Sequence, residues 1–159
     1  MSRHSPPPLP VAADRLSVGI VAARFNPALI DPLLRTVQAR LLAAGVRPRR
    51  LRVVRVPGSH ELPVAALWLA ASGRCDCVVA LGVLIKGGTA HHRIVGQAVT
   101  DALQRVALAT RVPVVNGVLV VETPAQAAAR CRGRLNRGPA FAGAALEMAA
   151  LRRTAGRRA

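Results

Sequence analysis

Cys77-Val78-Val79-Ala80-Leu81 is an apolar run, and Gly82-Val83-Leu84-Ile85-Lys86-Gly87-Gly88-Thr89-Ala90-His91-His92 follows it directly. The run predicts a buried strand. Beyond the loop, Ile94, Val95, Ala98, Ala102, Leu103 and Val106 recur at helical spacing. The segment therefore reads strand, glycine-rich turn, helix start. Glycines let a backbone approach a ligand, and amides at a helix N-terminus favour an anion. Thr89 adds a hydroxyl, and His91 an imidazole of the kind suited to proton transfer near neutral pH. Anion cradle and proton carrier in one loop suit chemistry on a small phosphorylated molecule. Taken alone, the loop fits slightly better an ordinary turn with two solvated histidines.

The same alternation extends in both directions. Leu16–Ala23 reads as a central strand, broken by Arg24-Phe25-Asn26-Pro27. Leu33, Leu34, Val37, Leu41 and Leu42 mark a helix ended by Gly45. Its start is open between Asp31-Pro32 and Asn26-Pro27, one turn earlier. Arg49–Val56 alternates arginine with apolar residues, a strand with one wetter face or edge. Pro57-Gly58-Ser59-His60-Glu61 ends it, and a helix runs through Leu62–Ala71. After the central loop and its helix come a strand over Val114–Val121, a helix from Thr123-Pro124 through Ala129, and a last helix from about Pro139 to Leu151. Strict alternation predicts an α/β fold, a four-stranded parallel sheet with helices on both faces. Ligands in such sheets bind beyond the carboxyl ends of the strands. Phe25-Asn26, Ser59-His60-Glu61 and the Gly82–His91 loop fall there.

The totals bound the reading. The 159 residues fit one domain, expected over 15–151 between a proline-rich extended arm (1–14) and a basic tail (152–159). Aromatics make up only 2%, which argues against base-stacking recognition of single-stranded RNA. The net charge of +16 attracts phosphates, acidic substrates or, non-specifically, nucleic acid. The arginines are spread along the whole chain, so compositional bias explains the charge equally well. Cys75 and Cys77 flank Asp76 and, on a strand, would point the same way. Without a second ligand pair they make no metal site. An odd cysteine count and no secretory leader predict a cytoplasmic protein, and no run is long enough to span a bilayer.

In order along the chain, Arg24-Phe25-Asn26, Val56-Pro57-Gly58-Ser59-His60-Glu61-Leu62-Pro63, Ala80 through His91, Pro113-Val114-Val115-Asn116-Gly117-Val118-Leu119, Glu122 with Gln126-Ala127, Asn136-Arg137-Gly138 and Glu147-Met148-Ala149 resemble the lumazine synthase family of riboflavin biosynthesis. The resemblance implies a three-layer αβα, flavodoxin-like fold and a reaction without metal or redox cofactor. Members condense 5-amino-6-(D-ribitylamino)uracil with 3,4-dihydroxy-2-butanone 4-phosphate to 6,7-dimethyl-8-ribityllumazine, phosphate and water. On this resemblance Phe25 stacks on the pyrimidine, and Ser59, His60 and Glu61 hold the ribityl chain. Val83, Leu84 and Ile85 line the pyrimidine and ribityl subsite, with Asn116 and Arg137 contributing there. Gly88, Thr89 and Arg130 bind the phosphate, and His91 carries the proton. His92 stands where the family usually has an aromatic and is expected to be structural. His60 and Lys86 also depart from the usual residues.

The resemblance further implies a homopentamer whose site lies between adjacent subunits, with Asn116, Arg130 and Arg137 coming from the neighbour. Some members form decamers or shells of 60 subunits, and the product passes to riboflavin synthase. Competing readings are an archaeal-type riboflavin synthase, whose substrate lacks phosphate, a basic nucleic-acid-binding domain without catalysis, and a flavodoxin-type electron carrier.

Overall fold

The structure, a computed structural model, describes residues 11–155. Four strands, β1 (Val18–Ala23), β2 (Leu51–Val56), β3 (Cys77–Ile85) and β4 (Val114–Val121), pair in parallel in the order β2-β1-β3-β4. The five helices are α1 (Pro27–Ala43), α2 (Leu62–Ala71), α3 (His91–Thr110), α4 (Pro124–Cys131) and α5 (Gly138–Ala155). The predicted three-layer fold is the one observed.

The period-2 geometry of the strands sorts the core into two layers. Val18, Ile20 and Ala22 of β1, with Cys77, Val79 and Leu81 of β3, face α1, α4 and α5. Val21 of β1, with Val78 and Ala80 of β3, faces α2 and α3. Both faces of the central strands are thus buried, which explains their continuous apolar runs. The aromatic-poor core is filled by alanine, leucine and valine on the helices. Ala142, Ala145 and Ala149 bring α5 onto the sheet, while Leu33, Val37 and Leu41 do so for α1.

Several boundaries differ from expectation. Of the two starts left open for the helix after β1, the structure takes Asn26-Pro27: the helix starts at Pro27, and Asn26 precedes it in the left-handed region with φ 57°. Pro32 falls inside the helix. β3 continues to Ile85, so Gly82, Val83, Leu84 and Ile85 belong to a strand rather than to the loop. Pairing decides this: β4 is long enough to match Gly82 with Val118 and Ile85 with Val121. Gly82 is required there by close approach, since a Cβ would lie 2.5 Å from Ser59 Oγ. Pro48–Arg50 forms a 3-10 turn ahead of β2, and Ser59–Glu61 forms another ahead of α2.

Cys75 and Cys77 do not point the same way. Cys75 lies in the layer under α2 and α3, and Cys77 in the layer under α1 and α5. The chain is still irregular at Cys75 and turns at Asp76, whose carboxylate accepts from Ser17 N at 2.8 Å. All three cysteines are free and buried, and burial pushes Cys77 up to about 12 and Cys131 up to about 11. Helix α5 does not end at Leu151. It runs to Ala155, because Arg152 and Arg153 lie 3.6 and 3.4 Å from Asp76 and donate to the carbonyls of Arg111 and Arg15. The rest of the expected tail, and the expected arm up to residue 10, lie outside the described residues. The end of the arm is not free of the fold, since Ala13 is part of the core.

Candidate active site

The carboxyl ends of β1, β2 and β3 open into a cleft of about 360 Å³. Its walls are Phe25, Asn26, Gly58, Ser59, His60, Glu61, Val83, Leu84, Ile85, His91 and Val95. Each wall has a local cause. Backbone bonds from Arg24 N to Val56 O (2.8 Å) and from Phe25 N to Pro57 O (3.1 Å) tie the turn after β1 to the turn after β2. Phe25 is left 72% exposed at the cleft edge. A large aromatic held in water by two backbone bonds is poised to cover a flat ligand or a partner. Asn26 Nδ2 donates to Val83 O at 3.3 Å and joins the turn to β3.

The Ser59–Glu61 turn forms the opposite wall. Ser59 is 6% exposed, and its hydroxyl sits against Gly82. Glu61 Oε2 accepts from Gly58 N at 2.7 Å, so one carboxylate oxygen caps the turn and the other remains for a ligand. His60 is exposed on the cleft side of the same turn.

The glycine-rich turn shrinks to Lys86–Ala90 between β3 and α3. It lines a second, adjoining cavity of about 270 Å³ with His92 and Arg93, and Gly88 and Thr89 lie there. His91 begins α3, its N–H donating to Thr89 Oγ1 at 3.4 Å, and belongs to the main cleft. The anion loop and the imidazole are therefore neighbours in sequence that serve adjoining cavities. Glu122 fastens the loop. It lies 3.1 Å from Lys86 Nζ, 3.1 Å from Arg93 Nη2 and 3.8 Å from His92 Nε2. Hydrogen bonds from Arg93 and then Lys86 hold its carboxyl below the usual range. His92 is 5% exposed, with neither ring nitrogen hydrogen-bonded.

The remaining three predicted residues do not line the cleft of their own chain. Asn116 is in the middle of β4, where its amide donates to Thr100 Oγ1 at 3.0 Å and its oxygen accepts from Val118 N at 3.0 Å. Arg130 on α4 donates to the carbonyl of Gln126 one turn back, at 3.1 Å. Arg137 precedes α5, its N–H donates to Arg130 O at 2.8 Å, and its guanidinium stands 6.0 Å from the Phe141 ring. Asn26, Gly58, Val95 and the Glu122 clasp were not assigned roles from sequence. Asn26 had a readable signal, because asparagine between a strand end and a proline tolerates the left-handed conformation.

Residues 15–153 match the model of the family described as 6,7-dimethyl-8-ribityllumazine synthase. The chain belongs to the 6,7-dimethyl-8-ribityllumazine synthase family. It is 42% identical to the 6,7-dimethyl-8-ribityllumazine synthase of Halorhodospira halophila over 90% of this chain and 92% of that one. It is 45% identical to the enzyme of the same name from Kineococcus radiotolerans over 92% and 91%. The corresponding figures for the Thermococcus onnurineus protein are 43%, 87% and 90%. Among the described residues no helix is long and apolar enough to cross a membrane. Phe25 and the Ser59–Glu61 turn line the main cleft, and the glycine-rich turn lines the second cavity.

Proposed function

We propose that the chain condenses 5-amino-6-(D-ribitylamino)uracil with 3,4-dihydroxy-2-butanone 4-phosphate to give 6,7-dimethyl-8-ribityllumazine, phosphate and water. One observation carries this: Phe25, the Ser59–Glu61 turn, Val83–Ile85 and His91 share a single cleft beside the glycine-rich turn. Phe25 stacks on the pyrimidine, whose edge meets the β3 backbone at Val83–Ile85. Ser59, His60 and the free oxygen of Glu61 bind ribityl hydroxyls. Gly88 and Thr89 take the phosphate.

The amine attacks the ketone and loses water to form a Schiff base. Loss of a proton from carbon then expels phosphate, and the second amine closes on the carbonyl so formed with loss of a second water. His91 takes the carbon proton and returns it to a departing oxygen, a role worth roughly 10²–10⁴-fold in rate. Holding two substrates in register supplies much of the remainder.

Asn116, Arg130 and Arg137 serve the cleft of an adjacent subunit in a homopentamer, where Arg130 completes the phosphate site. Some members of this family pair two pentamers or build a 60-subunit shell, and in the cytoplasm the product passes to riboflavin synthase. Support for an assembly comes from α2. It is apolar all round, and Val64, Leu67 and Trp68 (68% exposed) form an outward face that a lone subunit leaves wet. The test is to mix purified protein with both substrates and follow lumazine fluorescence together with phosphate release. Product and phosphate appearing in equal amounts is the expected result. Phosphate-free turnover of a lumazine would instead favour a riboflavin synthase-type activity.

A further inference from the structure

At the other end of the sheet lies a cavity of about 410 Å³ lined by Ser17, Arg49, Arg50, Arg52 and Arg74. These residues come from the turn before β1, the 3-10 turn and start of β2, and the turn before β3. All sit at the amino ends of neighbouring strands, so the fold separates this cavity from the catalytic cleft by the length of the sheet. Four guanidiniums line it, and among the described residues no carboxylate does. The acidic residue nearest in sequence, Asp76, is already engaged by Ser17 N, Arg152 and Arg153.

The cluster has a fixed centre. Arg50 Nη1 donates to Ser17 Oγ at 3.1 Å, which orients the guanidinium and leaves the serine proton free to be donated elsewhere. Arg50 Nε is buried without a hydrogen-bond partner. A guanidinium is a planar fork matched to two oxygens of a phosphoryl group. Several like charges gathered around one concavity focus an attractive field for anions. Four guanidinium charges around one cavity balance the charge of two linked phosphoryl groups better than that of a single phosphate.

We propose that this cavity is a second anion site, which binds the diphosphate group of a small molecule through Arg49, Arg50, Arg52, Arg74 and the Ser17 hydroxyl. It is independent of the lumazine reaction. Titration calorimetry of the full-length protein with inorganic pyrophosphate, orthophosphate and ADP at fixed ionic strength tests it. Pyrophosphate is expected to bind saturably, at least tenfold more tightly than orthophosphate, and ADP at least as tightly as pyrophosphate. Arg50→Gln combined with Arg52→Gln is expected to weaken pyrophosphate at least tenfold and leave lumazine formation unchanged. Arg74→Gln, on an exposed turn, repeats the test by a weakening of about threefold or more if the double variant fails to fold. Arg35→Gln, which removes a distant charge on α1, is expected to change nothing. Absence of saturable binding would overturn the proposal. So would equal weakening by Arg35→Gln, which means general charge attraction, or loss of binding on Thr89→Ala, which puts the anion at the glycine-rich turn.

Discussion

The cleft wall and the arginine-bearing side of the molecule are built in opposite ways. Phe25, Ser59, Glu61, Val83–Ile85 and His91 converge because three neighbouring parallel strands end together and backbone bonds lock their turns. Asn116, Arg130 and Arg137 are held by their own strand and helices, and none reaches that cleft. A single chain therefore gathers the cleft residues by itself, while its guanidinium beside the glycine-rich turn, Arg93, is engaged by Glu122 and those of Arg130 and Arg137 stay with other elements. That contrast is what a shared site between subunits requires, and it can be attacked experimentally.

The largest effect belongs to His91, the proposed proton carrier. His91→Ala is expected to lower the turnover rate about 10²–10⁴-fold yet leave a measurable rate above the uncatalysed reaction. Stopped-flow fluorescence on the folded variant checks it, and a rate at background would mean that positioning contributes little. Next comes the separation itself. Arg130→Ala is expected to weaken use of the ketose phosphate by about 10- to 100-fold, the loss of a charge-assisted contact of about 1.5–3 kcal/mol, with the pyrimidine KM little changed. Co-refolding His91→Ala with Arg130→Ala subunits then sharpens the comparison. If the two residues come from different chains, mixed assemblies regain part of the activity that each variant lost. No recovery would place both in one chain's site and break the contrast drawn above.

The smallest effect concerns the Glu122 clasp. Its carboxyl is held below its ordinary value of 4.5 in the folded protein, chiefly by Arg93 and Lys86. A depressed folded value adds stability above the unfolded value and loses it as pH falls through the folded one. Thermal midpoints of Glu122→Gln and the parent should therefore differ slightly at neutral pH and converge well below pH 4.5. A gap that persists in acid would show that the clasp is not electrostatic.

Much of this was legible in the residues themselves. Unbroken apolar runs such as Cys77–Leu81 set against helical faces such as Leu33, Val37 and Leu41 dictate a sheet buried on both sides, because the two periods allow little else. The ordered motifs around Phe25, Ser59–Glu61 and His91 carried the chemistry, because those side chains are adjacent to strand ends and their neighbours in sequence set their place. What was not legible depended on contacts between distant segments. Pairing with β4 drew Gly82–Ile85 out of the loop, the turn at Asp76 sent Cys75 and Cys77 into opposite layers, and Arg152 and Arg153 extended α5 by reaching Asp76. The sequence by itself thus determined the alternation of elements and the residues that can do chemistry, since both follow from local period and side-chain type. Only the tertiary structure decided which of those residues share one cleft, and that Arg50 and Arg74 meet at the far end of the sheet, because register and strand order join segments that no local pattern links.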